Sequence, residues 1–159
     1  MPSFVRLVLC LVLCLGLGAA AGFFTAQGIP VWYANLVKPA WTPPNIVFPI
    51  VWNILYVLMA VSLYLLWDRT PATPARSRAI TLFFVQLALN FAWSPVFFTL
   101  HWVWAALGII LALALTLVLI VRAAWPVNRT AALLLLPYLA WVLYASTLNA
   151  GVGVLNPGA

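Results

Sequence analysis

Side chains capable of acid–base, nucleophilic or metal chemistry are nearly missing from this 159-residue sequence: one acid (Asp68), one histidine (His101), one lysine (Lys38) and two cysteines (Cys10 and Cys14). Paired-carboxylate catalysis needs a second acid, and no Ser–His–Asp or metal-hydrolase constellation can be assembled. Cys10 and Cys14 lie four apart on an apolar run without a histidine or acidic neighbour, so they read as packing residues and supply no metal site. Rings and amides are abundant instead. Gln86, Asn90, Trp93 and Phe97 recur at spacings of four, three and four, which places two amides and two rings along one helical stripe. Trp52 and Tyr56 lie four apart on another helix, and Tyr138, Trp141, Ala145 and Leu148 or Asn149 form a third stripe. The chemistry open to such sets is stacking on a planar apolar ligand with hydrogen bonds at its edge. The competing reading is that the same rings and amides glue helices together, and composition does not separate the two.

The elements that position these stripes follow from the solvent. With 67% hydrophobic and 5% charged residues, and a mean hydropathy of +1.17, the chain cannot cover a core with polar surface and must be solvated by lipid. Five apolar runs, at about 4–25, 46–67, 79–98, 103–122 and 130–149, each approach the ~20 residues that cross ~30 Å of hydrocarbon. Helices are required there, since backbone polar groups find no other partners in lipid and the period-two alternation of a barrel strand is absent. The expected fold is therefore all-α, a single integral membrane domain of five transmembrane helices over residues 1–159. The first run also resembles a secretory signal, but its apolar character continues through Phe23 and Phe24, and it is read as a span. Within it Gly18 and Gly22 would let another helix approach closely, in the same bundle or in a dimer. The fourth run carries almost nothing polar and is expected to face lipid over much of its surface.

Between the first two runs, residues 26–45 form the lid loop. Pro39, Pro43 and Pro44 remove backbone donors and fix φ, so residues 30–44 should be a stiff, non-helical connection beneath which Trp52 and Tyr56 form a wall. Pro71 and Pro74 are expected to interrupt helix in the 67–78 segment, Pro95 to bend the third span, and Pro137 to loosen the start of the fifth. Trp102, Trp104 and Trp125 fall at span ends, where interfacial belts are expected. His101, beside the headgroups, is open to two readings, simple hydration and ligation of a haem iron.

Arg6, Arg69, Arg76, Arg78, Arg122 and Arg129 fall on one side of the five-span plan and Lys38 alone on the other. The basic bias predicts a cytoplasmic N-terminus in an inner membrane, and it accounts for the net charge of +6 without nucleic acid as a partner.

Three segments, WYANLVKPAWTPPNIVFPIVWNILY, QLALNFAWSPVFF and PYLAWVLYASTLN, resemble the most characteristic parts of the translocator protein family, also called tryptophan-rich sensory proteins or peripheral benzodiazepine receptors. The resemblance covers nearly the whole chain, in order and at matching spacing. It implies five transmembrane helices, commonly paired as a homodimer, around a pocket closed by the first loop. It further implies a tetrapyrrole ligand, protoporphyrin IX or haem, with no other cofactor required, and synthetic drugs of the benzodiazepine-receptor type as further ligands. Carried over by position, the ligand-binding residues are Tyr33, Pro43, Trp52, Tyr56, Asn90, Trp93, Trp141, Ala145 and Leu148. The family's sterol element needs a Tyr followed by a basic residue; the corresponding end of this chain, LNAGVGVLNPGA, has neither. Length and short tail match bacterial members, some of whose relatives occupy outer membranes of bacteria or mitochondria.

Two functions fit these residues. The first is a tetrapyrrole sensor or carrier linked to porphyrin supply or stress, in which rings stack the macrocycle, amides fix its edge and Lys38 meets a propionate. The alternative is light- and oxygen-dependent degradation of porphyrin using Trp52 and Trp141, as proposed for some relatives. A proton-coupled transporter would need intramembrane acids or bases that the spans lack.

Overall fold

The apolar runs fold as helices because lipid offers their backbone groups no other partner. In the computed structural model, which describes residues 1–158, α1 spans Ser3–Val31, α2 Val47–Asp68, α3 Pro74–Phe98, α4 Val103–Ala124, α5 Arg129–Leu134 and α6 Leu136–Leu155. Among the described residues five segments are long and apolar enough to cross a membrane, the fifth being α5 and α6 together. Packing runs in a closed ring: α1 against α2, α2 against α5, α6 against α4, α4 against α3, and α3 back against α1. Chain neighbours are thus not always spatial neighbours, and α5–α6 lies between α2 and α4.

Prolines set the ends of these helices, in part differently from expectation. The non-helical connection was expected to start at residue 30, yet α1 continues through Pro30 to Val31. Pro30 costs one backbone bond, but its fixed φ is helical and the amide of Trp32 still donates to the carbonyl of Gly28. Pro74, expected to stop helix, begins α3 instead, where its missing N–H has no intrahelical partner to lose; Thr73 caps it by accepting from the amide of Arg76 at 3.2 Å. Pro95 sits inside α3, which runs on to Phe98. In the fifth span Pro137 removes the donor that would bind the carbonyl of Leu133, and the helix is interrupted at Leu135 before resuming as α6.

The fourth span is open over much of its surface, as expected, with Trp104, Leu111, Leu115, Val118 and Leu119 exposed. Val103, Ala106, Ile110, Leu113, Leu117, Ile120 and Ala124 of α4 are all buried, because α4 is wedged between α3 and α6. An all-apolar helix looks the same to lipid and to protein, so composition could not tell which faces it turned to each. Exposure is greater still on α1, of whose most apolar stretch only 17% is enclosed against 44% for α4.

The six arginines gather at one end of the bundle. Asp68 joins them there, bonded to Arg6 at 3.0 Å, Arg69 at 3.2 Å and the Ser3 hydroxyl at 2.6 Å, which ties the start of α1 to the end of α2. Close by, Leu66, Ala79, Ala124, Ala131 and Ala132 form a fully buried cluster, and Ser62 donates to the carbonyl of Ala131 at 2.8 Å.

Candidate functional site

The opposite half of the bundle holds a cavity of about 450 Å³. α1 contributes a small-residue wall with Gly18, Gly22 and Thr25. α2 contributes Phe48, Pro49, Trp52 and Tyr56, α3 contributes Asn90, Trp93 and Phe97, and α6 contributes Trp141, Ala145, Leu148 and Asn149. Tyr33, on the short 3₁₀ turn Tyr33–Asn35 that follows α1, closes the top. Eight of the nine residues carried over from the resemblance therefore border one void. Pro43 does not: it lies half-buried in the strap, while Phe48 and Pro49 of the first turns of α2 form the wall below.

Rings stand around this void because the amides hold them there. Tyr56 donates to the side-chain carbonyl of Asn90 at 2.6 Å; the amide of Asn90 donates to the hydroxyl of Tyr138 at 2.5 Å; and Tyr138 donates to Gln86 at 2.9 Å. A chain of four polar side chains from α2, α3 and α6 is thus satisfied internally, as groups buried in a low-dielectric interior require. Trp93 is fixed likewise, its indole N–H donating to Asn149 at 3.0 Å, whose own amide donates to the carbonyl of Val103 at 2.9 Å. Trp93 stacks on Phe97 with ring centres 5.0 Å apart, and Trp52 tilts against Tyr56 at 5.6 Å. The amides expected to grip a ligand's edge are in fact engaged in positioning the walls.

Trp141 is the exception. Its ring meets Phe48 edge to face at 5.9 Å and lies 5.4 Å from Tyr144, but its buried indole N–H has no acceptor among the described residues. A buried donor without a partner costs about 1–3 kcal/mol, and at a cavity wall an acceptor on a bound molecule would relieve it.

Gly18 explains part of the α1 face. A Cβ there would collide with the ring of Tyr56, so glycine lets that ring lie flat on α1. A Cβ at Gly22 would meet nothing within 4 Å, and Gly22 borders the void. Of the small-residue pair, one member thus admits a ring within the bundle and the other leaves space.

The strap over the cavity is clamped onto α6. Asn156 accepts from the amide of Val37 and donates to its carbonyl, both at 2.8 Å. The indole of Trp41 donates to Thr147 at 3.2 Å, its carbonyl accepts from Tyr144 at 2.5 Å, and the ring of Pro39 fills the place a side chain on Gly151 would take. Lys38, expected to face a ligand carboxylate, is turned onto the strap instead: its ammonium donates to the carbonyl of Leu36 at 3.2 Å and stands 4.8 Å over the ring of Tyr33. Burial, with a smaller contribution from Tyr144, pushes the Tyr33 phenol above its ordinary value, so it stays neutral beneath that ammonium. His101 does not border the cavity; it is stacked on Trp32 at 4.3 Å in the turn between α3 and α4.

Among the described residues no acidic, basic or histidine side chain lines the void; its polar groups are hydroxyls, amides and indoles. The walls suit contact with the faces of a flat, largely apolar molecule.

Lining residues that spacing did not single out are Phe48, Pro49 and Asn53 of α2, Ile110 and Leu113 of α4, and the α1 face. The α2 positions carry a signal that was readable, since Pro49 and Asn53 precede Trp52 and Tyr56 by three residues on one helix. The α1 face has none, because small residues announce close packing whether or not a void adjoins it.

Similarity to known proteins agrees with this architecture. Residues 10–155 match the TspO/MBR family. The chain is 41% identical to the tryptophan-rich protein TspO of Archaeoglobus fulgidus over 97% of this chain and 99% of that protein. It is 39% identical to the human translocator protein over 85% of this chain and 80% of that protein, and 35% identical to a tryptophan-rich sensory protein of Cereibacter sphaeroides over 74% and 72%. With a ring-walled cavity under a clamped first loop and similarity along almost its full length, the chain belongs to the TspO/MBR family of membrane proteins.

Proposed function

We propose that this protein binds a tetrapyrrole, protoporphyrin IX or haem, in the strap-covered cavity and serves as a sensor or carrier for it. One observation carries the reading: Trp52, Tyr56, Trp93 and Trp141 surround a void of about 450 Å³ in which the indole N–H of Trp141 is left without an acceptor among the described residues. That volume falls in the range of small-molecule sites, and the flat walls complement a planar macrocycle. Exposed Asn45 and Asn53 at the rim leave room for the carboxylates of a porphyrin to remain in a polar layer. The arginine end then faces the cytoplasm and the strap the opposite side, as the basic bias favours.

Titrating the purified protein with protoporphyrin IX and with haem, following tryptophan fluorescence, tests this. Saturable one-to-one quenching, weakened in Trp141→Phe, is expected; equal quenching in both proteins contradicts it. A second reading, light- and oxygen-dependent porphyrin oxidation, is favoured by Trp52 and Trp141 bordering the same void. Under that reading illumination yields a new absorbing product that darkness and Trp52→Phe both suppress.

A further inference from the structure

The bundle has a second hollow, of about 440 Å³, at the arginine end and separate from the ring-walled cavity. It is a groove on the outer flank, bounded by Leu13 of α1, Leu63 and Trp67 of α2 and Phe84 of α3, with Arg76 as its one charged wall. Leu13 and Phe84 are exposed there, toward the membrane. From Arg76 to Phe84 is eight residues, or roughly 12 Å along a helix at ~1.5 Å per residue, so the groove descends from the end of the span into the hydrocarbon. An acyl chain lies in that direction.

The mouth of the groove is positively charged and uncompensated. Asp68, the sole acid of the chain, is taken by Arg6 and Arg69. Arg76 pairs with no carboxylate among the described residues; one N–H donates to the carbonyl of Thr70 at 3.0 Å, which anchors the guanidinium and leaves most of its fork of donors open. Such a fork matches the oxygens of a phosphate. Arg78, Arg122 and Arg129 share this end, a setting that favours a net-negative headgroup over a zwitterion.

We propose that this groove holds one anionic phospholipid of the leaflet on the arginine side, its phosphate on Arg76 and an acyl chain between Leu13, Leu63 and Phe84. The lipid seals the gap between α1 and α3 where no protein side chain fills it.

The test is native mass spectrometry of the detergent-released full chain, titrated with phosphatidylglycerol and phosphatidylcholine of identical acyl chains. One phosphatidylglycerol retained per chain is expected, with affinity falling about fivefold in Arg76→Gln, the factor for one basic residue at an anionic surface. Leu13→Trp, which fills the groove, should weaken both lipids, whereas Arg78→Gln, outside the groove, should weaken phosphatidylglycerol less than Arg76→Gln does. Should Arg76→Gln fail to fold, the comparison of Leu13→Trp with Arg78→Gln still decides. Equal retention of the two lipids, equal loss in Arg76→Gln and Arg78→Gln, or displacement of the lipid by inorganic phosphate alone would overturn the proposal. So would a Leu13→Trp protein that keeps its lipid but changes from dimer to monomer, which would make the groove a contact between copies.

Discussion

The two ends of the bundle are built from the same kind of helix and differ in where space is left: on the outer flank at the arginine end, among the rings of the interior at the strap end. At the arginine end Leu66, Ala79, Ala124, Ala131 and Ala132 close on one another without remainder. At the strap end the same spans leave about 450 Å³ empty. Small aliphatic side chains allow helices to approach until no space is left. Indoles and phenols are too large and rigid to fold into a gap, and here three of them are also held, Tyr56 and Tyr138 by Asn90, Trp93 by Asn149. A void in a membrane bundle is therefore kept open by a hydrogen-bonded ring frame, while the far end supplies the packing that holds the frame together.

Breaking the frame should have the largest effect. Asn90→Leu strips an acceptor from Tyr56 and a donor from Tyr138, and is expected to destabilise the protein by about 3 kcal/mol, seen as a lowered Tm in detergent, with loss of porphyrin binding as the rings move. Next come two substitutions that separate the ends. Ala145→Phe places a ring in the void and should weaken porphyrin binding by about 2 kcal/mol, roughly thirtyfold, with little change in Tm. Ala132→Leu overpacks the closed end and should lower stability by about 2 kcal/mol while leaving porphyrin affinity in place.

The smallest effect concerns the strap. Asn156→Ala removes both bonds to Val37 and should speed ligand dissociation about fivefold, as expected for a net loss near 1 kcal/mol, with the association rate nearly unchanged. Stopped-flow recovery of tryptophan fluorescence would measure it. An unchanged dissociation rate would mean the ligand leaves by another route, such as the side where Ala19, Gly22 and Ala26 of α1 border the void and are exposed.

Much of this plan was legible in residue spacing. The stripes at Gln86–Asn90–Trp93–Phe97 and Tyr138–Trp141–Ala145 determine which faces of α3 and α6 turn inward, and the proline-rich connection determines what covers them. Less legible was what each polar group would do once there. Spacing places Asn90 on the inner face but does not say whether its partners are Tyr56 and Tyr138 or a ligand. Lys38 looked free for a carboxylate because the sequence gives no hint that Tyr33 lies beneath it. Which face of α4 packs against α3 and α6 was hidden for a different reason: nothing distinguishes a face wedged between helices from one among acyl chains when nearly every residue is apolar. Pro74 was misread because its effect depends on whether it falls inside a helix or at its first turn, and that boundary was uncertain by several residues.

Protoporphyrin IX dissociation constants of Ala145→Phe and Ala132→Leu, measured side by side by tryptophan quenching, bear most directly on the idea that the ring-framed void is the binding site. A loss of roughly thirtyfold in the first with an unchanged value in the second is expected. Equal affinities in the two proteins, or a loss confined to Ala132→Leu, would contradict it.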